Sequence, residues 1–139
     1  MPTQEHRINI KAHRDAVFAA LTSSAGWRGW FTNDVQGTFA PTERITATVA
    51  GREPIVLQIL TVQPPTSASW TAIDGPFAAP GASTTVTLSD LTDGRTSVEL
   101  VHETPPIPAP DLQACNTWWG VLLGQLRSYC ETHQVASAL

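Results

Sequence analysis

The feature that most constrains the fold is one long amphipathic helical pattern over residues 110–133. Pro110 suits the first turn of a helix, where its missing N–H has no intrahelical partner to lose. At about 100° per residue, the apolar and aromatic side chains fall within roughly one third of the circumference. A stripe of this kind is stable only when another layer of structure covers it. The stripe consists of Cys115, Trp118, Trp119, Leu122, Leu126, Tyr129, Cys130 and His133.

The middle of the chain alternates between apolar and polar side chains, as strands with one buried face do. A short strand over residues 5–10 and two short helices come first, and Ser23 or Ser24 is suited to cap the second helix. Because hairpin-linked strands form antiparallel sheets, we expect an α+β helix-grip fold. It has a curved antiparallel sheet of about six to seven strands around the long C-terminal helix, in a single domain over 1–139. The later strands are predicted at 35–39, 45–49, 55–62, 68–72, 86–88 and 98–102.

Two segments between strands carry turn signals. Residues 74–83 are rich in Gly, Pro and Ser, which predicts a loop. Asp93-Gly94 is the strongest hairpin signal in the chain. This dipeptide favours a type I′ turn, which needs positive φ at both central residues. The pattern therefore predicts a two-residue hairpin between the last two strands.

Composition excludes several classes of partner. The hydrophobic fraction is 42%, the charged fraction is 14% and the net charge is −4. Lys11 is the only lysine and the arginines do not cluster. Nucleic acids and anionic membrane surfaces both require a concentrated positive surface. We therefore expect neither a nucleic-acid nor a membrane partner.

The two cysteines point to a reducing compartment. Cys115 and Cys130 lie on the same predicted helix, about 22 Å apart at 1.5 Å per residue, which is beyond the reach of a disulfide. No segment has the length of a membrane span, and the N-terminus has no apolar run of signal-peptide length. These features predict reduced thiols and a cytoplasmic location.

Four segments carry a resemblance to a known family, and they lie at residues 10–21, 27–31, 60–70 and 93–126. Together they resemble the START-like (SRPBCC) superfamily, which has the helix-grip fold, and most of all the branch of the activator of heat-shock-protein-90 ATPase homologues. This resemblance implies an apolar cavity between sheet and helix, and it also suggests a chaperone partner and a stress response. It does not imply one activity. The glycine-rich aromatic segment of the family is reduced here to residues 37–39.

No catalytic or metal-binding motif is present, and no catalytic residue, cofactor or metal is predicted. His102 is the most interesting histidine because it is in phase with Val98 and Leu100 on one strand face. A neutral imidazole facing inward can orient a polar group or move a proton. The alternative is a histidine at a strand end that bonds to backbone or water.

Aromatic side chains form the predicted ligand site. Five tryptophans occur in the chain, and their large apolar area suits a pocket as well as plain core packing. Trp118 and Trp119 are adjacent on the helix, so we expect one to line the pocket and the other to seal its edge. The predicted ligand-binding residues are Trp30, Phe31, Trp70, Phe77, His102, Trp118, Trp119, Leu122 and Leu126.

Three functions are compatible with this pattern. The first is binding of a small hydrophobic or amphipathic molecule in the cavity. The second is a protein-interaction module that regulates a chaperone or another protein. The third is a cyclase- or hydrolase-like enzyme with His102 as general base. Gly120 and Gly124 lie opposite the apolar stripe, and are either part of a homodimer surface or simply tolerated there.

Overall fold

The structure is a computed structural model that describes residues 3–75 and 80–137, with side chains described as far as Thr132. Phe77, in the loop predicted at 74–83, lies outside the described residues. The elements in chain order are β1 (Thr3–Ile10), α1 (Arg14–Leu21), α2 (Ser24–Trp30), β2 (Asp34–Gly37), β3 (Arg44–Thr48), β4 (Ile55–Gln63), β5 (Ser67–Asp74), β6 (Ser83–Asp90), β7 (Thr96–Glu103) and α3 (Ala109–Ser137).

The seven strands form one antiparallel sheet in the order β1-β7-β6-β5-β4-β3-β2. Strand β1 lies at one edge of the sheet and pairs with β7, the last strand in the chain, with Thr3 opposite Glu103 and Ile10 opposite Thr96. Register shifts interrupt the β4–β5 pairing at two places, and such irregularities increase the local twist and bend of a sheet. The predicted fold class, with two short helices after the first strand, is confirmed.

Helix α3 carries the predicted apolar face, with Leu122, Leu126 and Cys130 all buried. Leu123 is buried as well, so the stripe is wider than the sequence pattern indicated. The predicted start at Pro110 is correct to one residue, but the predicted end near 133 is too early. Residues 134–137 contain no glycine or proline, so nothing in the chain stops the helix there.

The hairpin between β6 and β7 is confirmed, but its predicted turn type is wrong. Leu91 N–H donates to Arg95 O at 2.8 Å, and Gly94 N–H donates to Leu91 O at 3.3 Å. Gly94 has a φ of 82°, whereas Thr42 is the only non-glycine residue with positive φ in the described chain. Asp93 therefore cannot be part of a type I′ turn. Its carboxylate instead accepts from Arg95 Nε at 2.7 Å, in a three-residue loop with glycine at the last position.

Helices α1 and α2 meet in a tight corner, as the serine pattern predicted. Ser23 caps α2, its hydroxyl accepting from Gly26 N–H at 3.0 Å. Gly26 lies so close to the backbone of Ala20 that a Cβ atom at Gly26 would overlap it. This close approach folds α2 back over the end of α1. The tryptophans of α2 are thereby brought to the carbonyl end of α1.

Candidate functional site

An apolar cavity lies between the inner face of the sheet and helices α2 and α3. Its volume is about 40 Å³, which is room for only a few water molecules. Among the described residues that line it there is no Asp, Glu, Lys or Arg, so the cavity favours a neutral occupant. The lining residues in the described part of the chain are Trp27, Trp30, Phe31, Ile55, Leu57, Trp70, Ala72, Ala82, Thr84, His102, Trp118, Trp119 and Leu122.

Most of the residues predicted to bind a ligand come together at this cavity. Leu126 is an exception: it is fully buried but does not line the cavity, because it lies one turn, about 6 Å, beyond Leu122 along α3. Phe77 lies outside the described residues. Contact with a ligand stays a prediction for every member of the set. The predicted residues that line the cavity are Trp30, Phe31, Trp70, His102, Trp118, Trp119 and Leu122.

The last carbonyl groups of α1 hold two of the cavity's tryptophans in place. Trp30 Nε1 donates to Ala20 O at 2.9 Å, and Trp27 Nε1 donates to Leu21 O at 2.9 Å. The final carbonyls of a helix have no intrahelical donor, so they need partners of this kind. Both indole N–H groups are thus used inside the protein. Trp27 and Trp30 present only apolar ring surface to the cavity.

These anchored rings belong to a larger aromatic cluster. The ring centroids of Trp27 and Trp30 are 5.0 Å apart, and those of Trp27 and Trp70 are 5.5 Å apart. Phe39 packs against both Trp27 and Trp70 at 5.7 Å. Aromatic pairs at these separations add stability beyond the area that they bury. Neither Phe39 nor Trp27 was among the residues predicted from the sequence to bind a ligand.

Trp118 and Trp119 both line the cavity, so the expectation that one of them only seals its edge is wrong. Trp118 packs against Phe31 on the α2 side, with ring centroids 6.2 Å apart. Trp119 packs against His102 on the β7 side, at 5.6 Å. Both tryptophans are half-buried. The cavity is narrow enough for successive residues of one helix to reach its two sides.

His102 faces the cavity and is only 1% exposed. Its Nδ1 shares a hydrogen bond of 2.9 Å with Thr84 Oγ1, while its Nε2 is buried without a partner. Burial, with a smaller effect of the nearby His6, lowers the pKa of His102 below its ordinary value. The imidazole is therefore neutral at physiological pH. The imidazole of His102 bonds to the hydroxyl of Thr84 and not to a carboxylate. The described lining residues include no Asp or Glu that could activate His102 as a general base.

Two more polar side chains lie beside His102 on the inner face of β1. Gln4 is directly opposite His102 in the β1–β7 register, and His6 lies two residues further along. Gln4 Nε2 donates to Leu112 O at 2.7 Å, which leaves Oε1 as an acceptor. Gln4 Oε1 and His6 Nε2 are both buried without a partner, as is Nε2 of His102. Thr84 and His102 line the cavity, and we call these two residues its polar end; Gln4 and His6 lie next to them on β1 but are not among the lining residues.

A metal centre and a reactive thiol are not found in residues 3–75 and 80–137. No group of three or more His, Cys, Asp or Glu side chains there could hold a metal ion. Cys115 and Cys130 are both buried thiols, and burial raises the pKa of each, that of Cys130 to about 12. Of the helices described, none has both the length and the hydropathy needed to cross a bilayer.

A second, open groove runs between α2 and α3 at the surface. Its volume is about 630 Å³. Val121 borders this groove and is 49% exposed. Gly124 borders it too, and a Cβ atom there would have no neighbour within 4 Å. Gly120, on the same helix, is exposed and equally open. The predicted role of the two glycines in self-association stays a prediction.

The architecture defines the class of protein. A seven-stranded antiparallel sheet that packs against a long C-terminal helix, with two short helices after β1, is the START-like helix-grip fold. The sequence model of the family described as "Activator of Hsp90 ATPase homolog 1-like protein" matches residues 11–131. The chain therefore belongs to this family, and the resemblance seen in the sequence is confirmed.

Solved structures agree with this assignment. The solution structure of the Aha1 dimer from Colwellia psychrerythraea is 26% identical over 94% of this chain and 97% of that chain, with a TM-score of 0.85. Protein MLL2253 from Mesorhizobium loti is 17% identical over 92% of this chain and 96% of that chain, with a TM-score of 0.76. CalU16 from Micromonospora echinospora is 21% identical over 90% of this chain and 71% of that chain, with a TM-score of 0.73. The last two show the fold alone. No curated protein matches the chain.

Proposed function

We propose that this protein binds a small, neutral, hydrophobic or amphipathic molecule in the cavity between the sheet and α3. The observation that carries the proposal is an aromatic cavity without charged residues that ends at the buried, unpartnered Nε2 of His102. Apolar pockets with a few convergent polar groups are typical of ligand sites. A buried nitrogen without a partner costs about 1–3 kcal/mol in the empty protein. A ligand that bonds to it removes that cost.

The empty cavity is smaller than such a ligand, so binding requires side chains to move. A volume of about 40 Å³ is far below the roughly 300 Å³ at the lower end of common ligand pockets. Trp30 is held by its bond to Ala20 O. Trp118 and Trp119 both line the cavity from α3 and are half-buried. We assign the opening of the cavity to rotation of these two rings.

A ligand screen with matched variants tests the proposal. A panel of neutral hydrophobic molecules is titrated into ¹⁵N-labelled protein, and amide shifts are followed by NMR. Ala72 lines the cavity, so Ala72→Leu fills it and abolishes binding. Thr85 is exposed on the outer face of β6, so Thr85→Leu leaves binding unchanged. The proposal is refuted if no molecule shifts the cavity amides, or if the two variants bind equally well.

A second candidate is a protein-interaction module, which family membership and the open groove between α2 and α3 support. Because the related Colwellia protein is described as a dimer, we propose self-association through this groove. Gly124→Arg would place a long charged side chain in it. The expected result is a fall in molar mass by light scattering relative to the unchanged protein. An unchanged protein that is monomeric at all concentrations would exclude the dimer.

We also propose a cytoplasmic location, where the two buried thiols would stay reduced. Subcellular fractionation of the native host tests this directly. Recovery of the protein outside the cytoplasm would contradict it.

A further inference from the structure

The polar end of the cavity indicates which functional group its ligand carries. We propose that the ligand carries a hydroxyl group, alcoholic or phenolic, that forms a hydrogen bond with Nε2 of His102. This inference rests on the proposed function of the cavity. It goes further because it names the functional group that the protein recognises.

The position of His102 comes from its two neighbouring strands. Thr84 lies opposite it on β6 and Gln4 lies opposite it on β1. Thr84 bonds to Nδ1, so Nε2 is the ring nitrogen left for a ligand. His102 is buried, lines the cavity and packs beside Trp119, one of the rings assigned to its opening. A ligand that displaces Trp119 would therefore meet the unpartnered nitrogen.

A hydroxyl is the neutral group that fits these atoms best. If Thr84 donates to Nδ1, then Nε2 carries a proton and needs an acceptor; in the other tautomer Nε2 needs a donor. A hydroxyl can serve either state, whereas a carbonyl or an ether can serve only one.

Charged head groups fit this end poorly. The cavity lining contains no Asp, Glu, Lys or Arg to balance a carboxylate or an ammonium group. His102 gives no compensating charge, because burial holds its pKa below the ordinary value. The recognised group is therefore polar and uncharged.

Phenol and toluene test the inference because they differ only by a hydroxyl and a methyl group. Both are titrated into ¹⁵N-labelled protein, with cavity amides and the ring nitrogens of His102 observed by NMR. Phenol is expected to bind about tenfold more tightly, the effect of one added buried hydrogen bond. Phenol, but not toluene, is expected to shift the Nε2 resonance of His102. This second readout uses the unchanged protein and does not depend on any variant folding.

Two substitutions connect the preference to the histidine. His102→Leu is expected to bind both compounds equally, while His102→Gln, which still offers an amide, keeps part of the preference. Equal binding to the unchanged protein, or a preference that survives in His102→Leu, overturns the inference but leaves the proposed cavity function standing. If neither compound shifts the cavity amides but other molecules of the ligand panel do, the inference fails and the proposed function stands; if no molecule of the panel does, both fail.

Discussion

Trp30→Phe tests whether the end of α1 holds the rings of the cavity in place. Trp30 is 5% exposed, and its Nε1 donates to Ala20 O at 2.9 Å. Phenylalanine keeps an aromatic ring at this position but has no N–H group. The substitution therefore removes the bond and leaves a buried carbonyl without its side-chain donor. It introduces no charge and no β-branched side chain.

The expected loss of stability follows from two contributions. A buried carbonyl left without a partner costs about 1–3 kcal/mol. The smaller ring buries roughly 40 Å² less apolar surface, which is about 1 kcal/mol at 25 cal/mol per Å². The free energy of unfolding should fall by about 2–4 kcal/mol, a large part of the 5–15 kcal/mol typical of a domain. The melting temperature should fall by roughly 10 °C.

Urea unfolding followed by far-UV circular dichroism measures this loss, because the substitution itself changes the tryptophan fluorescence. Trp119→Phe is the matched control: the residue is half-buried and lines the same cavity, but it does not bond to α1. We expect the control to lose about 1 kcal/mol or less. If Trp30→Phe is no more destabilised than Trp119→Phe, the anchoring role of α1 is wrong.

Three further results are expected. Gly29→Ala should lower stability by about 1–3 kcal/mol because its Cβ would overlap the ring of Tyr129, whereas Gly120→Ala, with open space around it, should be neutral or stabilising in the same thermal melts. Because the pKa of His102 is lowered from 6.5, the unfolded chain binds its proton first as the pH falls. Stability should therefore be complete above about pH 6.5 and decrease below it, by at most about 1.4 kcal/mol per pH unit from this group, and His102→Leu should lack that decrease in urea titrations at several pH values. Cys130, with its pKa raised to about 12 by burial and Glu131, should react with a thiol reagent far more slowly in the folded protein than in urea; equal rates would contradict its buried position.

Periodicity predicted the fold because both the sheet and α3 have one continuous buried face. The strand around Trp70 shows this: Ala68, Trp70 and Ala72 alternate with polar residues, and all three are buried. Such a pattern depends only on which side chains avoid water, and a single sequence records that directly. The packing of the buried face of the sheet against the apolar face of α3 follows from this pattern.

Strand register was harder to predict because it depends on the turn. A two-residue turn at Asp93-Gly94 would place His102 opposite Thr85, whose side chain points outward. The observed three-residue loop places it opposite Thr84, whose side chain is buried. A shift of one residue exchanges the two faces of a strand. Thr84 was missing from the predicted site because the strand was predicted to begin only at residue 86; counting back from the observed turn pairs Thr84 with His102.

Hydrogen bonds distinguish the two tryptophans of α2 from the two of α3, and the spacing of these residues in the sequence does not show this difference. The indole N–H groups of Trp27 and Trp30 donate hydrogen bonds to carbonyls of α1. These two residues can therefore contact a ligand only through their ring surfaces. Trp118 and Trp119 stand on α3, on the opposite side of the cavity, and are half-buried. Because Trp27 and Trp30 are buried and bonded to α1, whereas the two tryptophans of α3 are half-buried, a ligand would enter by way of α3. Hydrogen bonding to a ligand would then take place at the polar end of the cavity, where Nε2 of His102 is buried without a partner. A variant that loosens the α1 anchor should therefore weaken ligand affinity through a less ordered cavity, while substitutions at the polar end should change which ligands are preferred.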